Sequence, residues 1–346
     1  MPRLRRVDCS GPGIRRRPRG KGFEYLYSDG TPVGPEDRAR IRALVVPPAW
    51  KDVWICRHPN GHLQATGTDS AGRKQYLYHE QWRLKQDREK FDEMLDFARF
   101  LPHIGEVCEL QLAAEGLGRD RVLACAIHLL YRGFFRIGSE GYAEQNQTYG
   151  LATIQKRHVK VSGDMLAFDY VAKGNKQRLV AFADPAVAPV VSALKRRRGG
   201  GAELLAYKEG RSWIDVKSSD INLHIKEITG QDFSAKDFRT WSATAMAAIG
   251  MAVSGQVAKS KTGRKRAMAR AVGDVAAHLG NTPAVCRASY IDPRVFDRYL
   301  SGWIISVGSL DQNVGPWGYF TDKALIDAVV DLLEDNRGAD TVEKIA

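Results

Sequence analysis

The chain lacks the G-x-x-x-x-G-K-[ST] phosphate loop, and its Gly11-Pro12-Gly13 is not a dinucleotide fingerprint, so chemistry driven by nucleotide hydrolysis is not indicated. Cysteine is scarce. Cys9, Cys56, Cys108, Cys125 and Cys286 are odd in number and no two have CxxC spacing, which argues against disulfides or zinc and for reduced thiols in a cytosolic compartment. Cys108 and Cys125 fall in apolar helical patterns and read as core. No close His/Asp/Glu cluster suggests a metal; Asp331, Glu334 and Asp335 read as the solvated face of a late amphipathic helix. No apolar run approaches the roughly 18 residues of a membrane span. The basic N-terminus is not followed by an apolar h-region, so no signal peptide is expected. There is no internal repeat.

Acid is also short: 40 Asp and Glu face 52 Lys and Arg, a formal charge of +12 over 346 residues that are 44% hydrophobic. That content supports two packed domains, and a strongly basic chain most often meets an anionic polymer. The charge is clustered. Arg15-Arg16-Arg17-Pro18-Arg19-Gly20-Lys21 lies near the start, Lys195-Arg196-Arg197-Arg198 precedes three glycines, and Lys259, Lys261, Arg264, Lys265, Arg266 and Arg270 form a run with no acid among them. A single charge run is usually solvated surface; three of them favour a surface that tracks phosphates. The first 20 residues read as a disordered basic arm.

Short alternating runs at 23–27, 53–56, 63–67 and 74–78 predict strands, and 35–44 a short helix with Pro35 near its start. These form a small β-rich domain over residues 1–85, followed by a charged helical segment that carries the boundary. Residues 86–346 read as a larger, mainly α domain. An amphipathic helix over 119–135 leads into strands at 158–161, 166–171 and 177–182, the last two joined by a Lys173-Gly174-Asn175-Lys176 hairpin turn. Helices follow at about 186–196, 219–228, 239–254, 264–279 and 322–335, with Ser234-Ala235-Lys236-Asp237 capping the one that carries Arg239. The fold class is α+β.

Two arginines, a lysine and a tyrosine stand in order in this second domain: Arg136, Lys173, Arg239 and Tyr290. Each has an ordinary reading, as a helix-closing arginine, a turn lysine, a helix-start ion-pair residue and an interface aromatic. Together they are the parts needed to break a phosphodiester by tyrosine attack without a metal. Attack makes phosphorus pentacoordinate and charges its non-bridging oxygens, which guanidinium groups grip two at a time. The leaving 5′ oxygen needs a proton, which a lysine on a hairpin tip can supply, and the tyrosine must lose its own. A hydrogen-bonding amide or imidazole can hold the remaining phosphate oxygen. The product, a phosphotyrosine ester, keeps the bond energy, so resealing needs no ATP.

Phe135-Arg136-Ile137-Gly138, Thr148-Tyr149-Gly150-Leu151-Ala152-Thr153, Lys173 in its hairpin, Lys236-Asp237-Phe238-Arg239-Thr240, Leu279-Gly280-Asn281-Thr282 and Ser289-Tyr290 follow one another as in type IB DNA topoisomerases. The chain resembles their bacterial, poxvirus-like branch. Pro47-Pro48-Ala49-Trp50 and Gly72-Arg73-Lys74-Gln75-Tyr76-Leu77-Tyr78 resemble that branch's N-terminal domain. The resemblance covers roughly residues 40 to 300; its motifs are specific as an ordered set and weak singly. It implies Tyr290 as the nucleophile of a 3′-phosphotyrosyl link, Arg136 and Arg239 as transition-state stabilisers, and Lys173 as general acid. It implies Gln75, Tyr76 and Tyr78 as DNA contacts, and Lys156 and Lys236 are placed with them. It also implies a C-shaped clamp on double-stranded DNA and strand rotation driven by superhelical tension. No cofactor, metal, nucleotide or membrane is expected, and the protein is expected to be a monomer in the cytoplasm, associated with the nucleoid.

One position departs from the pattern. Viral and eukaryotic relatives carry histidine after Leu-Gly, where this chain has Asn281; His278 falls on the preceding helix. An asparagine donates a hydrogen bond but carries neither charge nor a transferable proton, so Asn281 is expected to position the phosphate. Two other readings compete. Tyrosine recombinases share the catalytic half, but they usually show His-x-x-Arg where this chain has Lys236-Asp237-Phe238-Arg239. A purely architectural DNA binder leaves Tyr290 and Lys173 unexplained.

Overall fold

The computed structural model describes residues 3–255, 260–306, 308 and 322–345; Lys259 of the third basic run lies outside them. The chain divides into two compact units, Met1–Lys90 and Phe91–Ala346. Among the described residues no helix is long and apolar enough to cross a membrane.

The first unit is a five-stranded antiparallel sheet of β1 (Ile14–Arg19), β2 (Gly22–Leu26), β3 (Lys51–Ile55), β4 (Leu63–Thr68) and β5 (Lys74–Tyr78), in the order β2-β1-β3-β4-β5. Helix α1 (Pro35–Ala43) packs Ile41 against Ile14, Val53, Ile55 and Ala65. Strand alternation turns Trp54 and Cys56 the other way, into a smaller cluster with Leu63. The disordered arm expected at the N-terminus is instead partly a strand: β1 pairs with both β2 and β3. A run of arginines looks solvated when counted, yet every second one can point inward. Arg16 does so, donating to the carbonyls of Pro47 at 3.0 Å and Trp50 at 2.6 Å and lying 4.2 Å from the Phe23 ring centroid.

Helix α2 (Glu80–Ala113) begins in the first unit and enters the second at Phe91, where its apolar residues become buried. The second unit continues with α3 (Arg119–Gly133), α4 (Glu140–Asn146), β6 (Val159–Ser162), β7 (Met165–Ala172), β8 (Lys176–Ala183), α5 (Ala188–Arg196), β9 (Ala206–Glu209), β10 (Ser212–Asp215), α6 (Ser218–Thr229), α7 (Ala235–Gly255), α8 (Lys261–Leu279), α9 (Pro283–Ser289), α10 (Pro293–Leu300), β11 (Trp303–Ile305), α11 (Lys323–Leu333) and β12 (Val342–Lys344). One continuous apolar core runs through it, from Phe91 to Val342. Strands β6-β7-β8 form an antiparallel sheet, with Ala172 opposite Lys176 at the hairpin end. The β9–β10 hairpin, the antiparallel β11–β12 pair, whose strands flank α11 in the chain, and helices α4, α9 and α10 were not expected from sequence; α9 and α10 run for 7 and 8 residues, too short for a sustained helical period. The segment after Tyr290 is tied back through Arg294, which pairs with Asp92 at 2.9 Å and with buried Asp292 at 2.7 Å.

Candidate active site

Four chain turns deliver the site. The first is the end of α3, where Phe134 takes a left-handed conformation (φ +51°) and stops the helix. The chain then runs extended through Arg136, whose carbonyl accepts from Leu151 at 2.8 Å, while Ile137 accepts from Ala152 at 2.8 Å. Gly138 and Gly150 allow that pairing: a Cβ on Gly138 would sit 2.8 Å from the Gly150 Cα. The two sequence motifs around Arg136 and Gly150 are therefore two halves of one backbone contact.

The second turn is the start of α7. The Ser234 N–H and hydroxyl both donate to Asp237 Oδ2, at 2.8 and 3.0 Å, fixing the first turn and aiming Arg239 inward, where it is 4% exposed. The third is the end of α8. Gly280, at φ +64°, reverses the chain so that the Asn281 N–H reaches back to the Ala276 carbonyl at 2.9 Å. The fourth is α9, capped by Thr282 and started by Pro283. It ends at Tyr290, whose carbonyl accepts from the Thr244 hydroxyl of α7 at 3.3 Å.

Arg136, Arg239, Asn281 and Tyr290 meet here. Arg239 donates to the Phe134 carbonyl and, at 2.9 Å, to the Leu279 carbonyl. Its guanidinium lies 5.2 Å from the Tyr290 ring centroid. Burial pushes Arg239 down to about 10, opposed by the Tyr290 phenol and reinforced by Arg136. Arg136 donates to the Gly280 carbonyl at 3.3 Å and to Asn281 Oδ1. Two buried donors in this cluster, Asn281 Nδ2 and Arg239 Nε, have no hydrogen-bond partner among the described residues. None of the ion pairs among those residues involves Arg136 or Arg239, so the cluster is cationic and its buried donors lack a counter-charge there.

Lys173 is exposed at the tip of the β7–β8 hairpin, in a turn made by left-handed Gly174 (φ +80°) and Asn175 (φ +56°). Sequence reasoning passed over Arg178. From β8 it donates to the last carbonyls of α8, to Ala277 at 3.1 Å and to His278, and it lies opposite Tyr170 of β7 in the strand register. Its signal was alternation: Arg178, Val180 and Phe182 share the inward side of β8 while Leu179 is 73% exposed.

Lys236 is exposed on α7, one turn before Arg239. Lys156 lies in a short 3-10 turn and feels charges of both signs; burial lowers its ammonium, Arg197 adds to the effect, and Asp215 and Glu203 oppose it. In the first unit, Tyr76 and Tyr78 stack on the outer side of β5, an edge strand, with ring centroids 6.1 Å apart. Lys74 stands over Tyr76. Gln75 faces the other way and donates to Asp69 at 2.9 Å.

Comparison with known proteins shows the family. The family described as eukaryotic DNA topoisomerase I, catalytic core, matches residues 79–299, and the bacterial DNA topoisomerase IB N-terminal domain matches residues 22–69. DNA topoisomerase 1B of Acanthamoeba polyphaga mimivirus is 31% identical over 287 residues, 81% of this chain and 85% of that protein. DNA topoisomerase 1B of vaccinia virus (strain Copenhagen) is 30% identical over 114 residues, 31% of this chain and 34% of that protein.

Proposed function

This chain belongs to the type IB DNA topoisomerase family, and from that premise we propose that it relaxes supercoiled duplex DNA by cutting one strand through Tyr290, letting the free end rotate and resealing it. The observation that carries this reading is the meeting of a tyrosine, two arginines and an amide around buried donors that have no partner among the described residues.

The chemistry follows from those positions. Tyr290 Oη attacks phosphorus, the P–O5′ bond breaks, and a 3′-phosphotyrosyl ester forms. Arg239 is oriented by two backbone carbonyls, which leaves its remaining N–H groups for the non-bridging oxygens. Arg136 reaches the same place from the other side and fixes Asn281, whose free N–H bonds complete the cradle. Because these groups are set before the reaction, each donor contributes on the order of 3 kcal/mol to the barrier, or about 10²–10³ in rate. Lys173 protonates the departing 5′ oxygen. The ester conserves the bond energy, so religation needs no ATP.

Duplex DNA is gripped through its phosphates by Lys236 and by the stacked Tyr76 and Tyr78 with Lys74; Gln75, already bonded to Asp69, and Lys156, which has acidic as well as basic neighbours, serve as lesser contacts. Binding is therefore steeply salt-dependent, with a log–log slope near −0.9 per phosphate neutralised. We place the protein in the cytoplasm with the nucleoid, acting as a monomer. The test is relaxation of supercoiled plasmid in EDTA without ATP, by this chain and by Tyr290→Phe. Stepwise relaxation by the first alone supports the reading; DNA binding without relaxation by either rejects it in favour of a recombinase or an architectural protein.

A further inference from the structure

Lys173 and the arginine pocket belong to different elements, and something must hold them to one phosphate. Lys173 rides on the β7–β8 hairpin, whereas Asn281 follows the end of α8. Arg178 joins the two. It lies opposite Tyr170 in the β7–β8 register, and the hairpin loop begins just past Ala172, about 7 Å of strand further on. From that rung its guanidinium donates to the Ala277 and His278 carbonyls, which carry the negative end of the helix dipole; Ala277 also accepts from the Gly280 N–H at 3.2 Å. The fit is close: a Cβ on Gly280 would sit 3.1 Å from Arg178 Nη1. No ion pair among the described residues holds Arg178, and its cross-strand partner Tyr170 is buried, 4% exposed.

We propose that Arg178 is a positioning residue that keeps the Lys173 hairpin in register with Gly280 and Asn281, so that proton delivery and oxyanion stabilisation act on the same phosphate. This rests on the reading of Lys173 as general acid. Without Arg178 the α8 end and the hairpin lose their common anchor, and a displacement of about 1 Å suffices to cost on the order of 10²-fold in rate. The proton step fails first, because Lys173 sits at the exposed end of the linkage, whereas Arg239 and Arg136 are held by separate carbonyl bonds.

The experiment is single-turnover cleavage of a short duplex with either oxygen or sulfur at the bridging 5′ position of the scissile phosphate. As Tyr290 bonds to phosphorus the 5′ group leaves; an alkoxide needs a proton from Lys173, while a thiolate, whose conjugate thiol has a pKa near 8.5, leaves without one. Arg178→Ala is expected to slow the oxygen substrate by about 10- to 100-fold and to cleave the sulfur substrate within a few-fold of the unaltered chain. Lys173→Ala shows the same rescue, and the double variant is no slower than Lys173→Ala alone. Arg178→Lys, which keeps a cationic donor and the fold, recovers part of the oxygen rate; if Arg178→Ala does not fold, this variant carries the comparison. Equal slowing of both substrates in the Arg178 variants overturns the proposal. Absence of sulfur rescue in Lys173→Ala overturns instead the assignment of Lys173.

Discussion

Two polar clusters hang on α3 and the residues just after it, and they are built on opposite plans. In the first, His128 and Asp184 are fully buried and bonded Nε2 to Oδ2 at 2.6 Å. Arg132 reaches the same carboxylate at 3.3 Å, and the Ala186 and Val187 N–H groups complete it. The second cluster begins four residues beyond Arg132, at Arg136. It contains Arg136, Arg239 and Arg178, and none of these is ion-paired among the described residues; backbone carbonyls and one amide oxygen take their N–H bonds instead. Buried charge without a counter-charge is costly, so a fold that keeps it does so for a partner that comes and goes. In the His128–Asp184 cluster the protein supplies the counter-charge itself; in the arginine cluster, on the function proposed above, a DNA phosphate would supply it.

The largest break in that contrast is removal of the nucleophile. Tyr290→Phe keeps the ring beside Arg239 and loses only the hydroxyl, so folding and DNA binding persist while cleavage falls by on the order of 10⁴-fold or more. Covalent protein–DNA adduct on a denaturing gel is the readout, and adduct from the variant would reassign the nucleophile.

Next come two substitutions that separate the clusters. Arg239→Met should lower single-turnover cleavage by about 10²–10³ yet change stability by only about 1 kcal/mol, because losing two carbonyl hydrogen bonds opposes relief of an unpaired charge. Asp184→Asn should do the reverse. It leaves His128 and Arg132 without their carboxylate, costs about 3 kcal/mol of stability, and spares the cleavage rate of the folded fraction. Its pH signature has a definite sign. Burial alone would raise the Asp184 carboxyl, but the His128 bond, backbone N–H groups and Arg132 together hold it below the usual 3.8. Its contribution is therefore present in full above about pH 3.8 and is lost as pH falls through the lower folded value. Denaturant midpoints between pH 2 and 7 should show that loss in the unaltered chain and a flatter curve in Asp184→Asn.

The contrast also marks what could be read from the residues alone. Arg136, Arg239, Asn281 and Tyr290 sit beside local signals, a helix-ending glycine, a Ser-x-x-Asp cap and a Thr-Pro start, which survive without tertiary information. Arg178 and β1 were missed for one shared reason. In both, an arginine points inward because strand alternation and a set of waiting carbonyls override its preference for water, and the carbonyls come from segments 34 and 99 residues away in the chain. Likewise the closure of Asp184 on His128 spans 56 residues, and no local pattern announces it.

The smallest expected effect tests how finely the open cluster is tuned. Asn281 does two things at once: its carbonyl oxygen accepts from Arg136, and its amide nitrogen is left as a buried donor. A neutral imidazole offers the same pair, one acceptor nitrogen and one N–H. Asn281→His should therefore cleave within about 10-fold of the unaltered chain at pH 8, where histidine with an ordinary value near 6.5 is neutral. As pH falls through that value the ring gains a proton, loses its acceptor and repels Arg136, so the variant's rate should drop while the unaltered chain shows no matching step from this position. Single-turnover rates from pH 5.5 to 8.5 decide the matter. A near-total loss at every pH would mean that the pocket needs the shape of the amide, not merely its acceptor and donor.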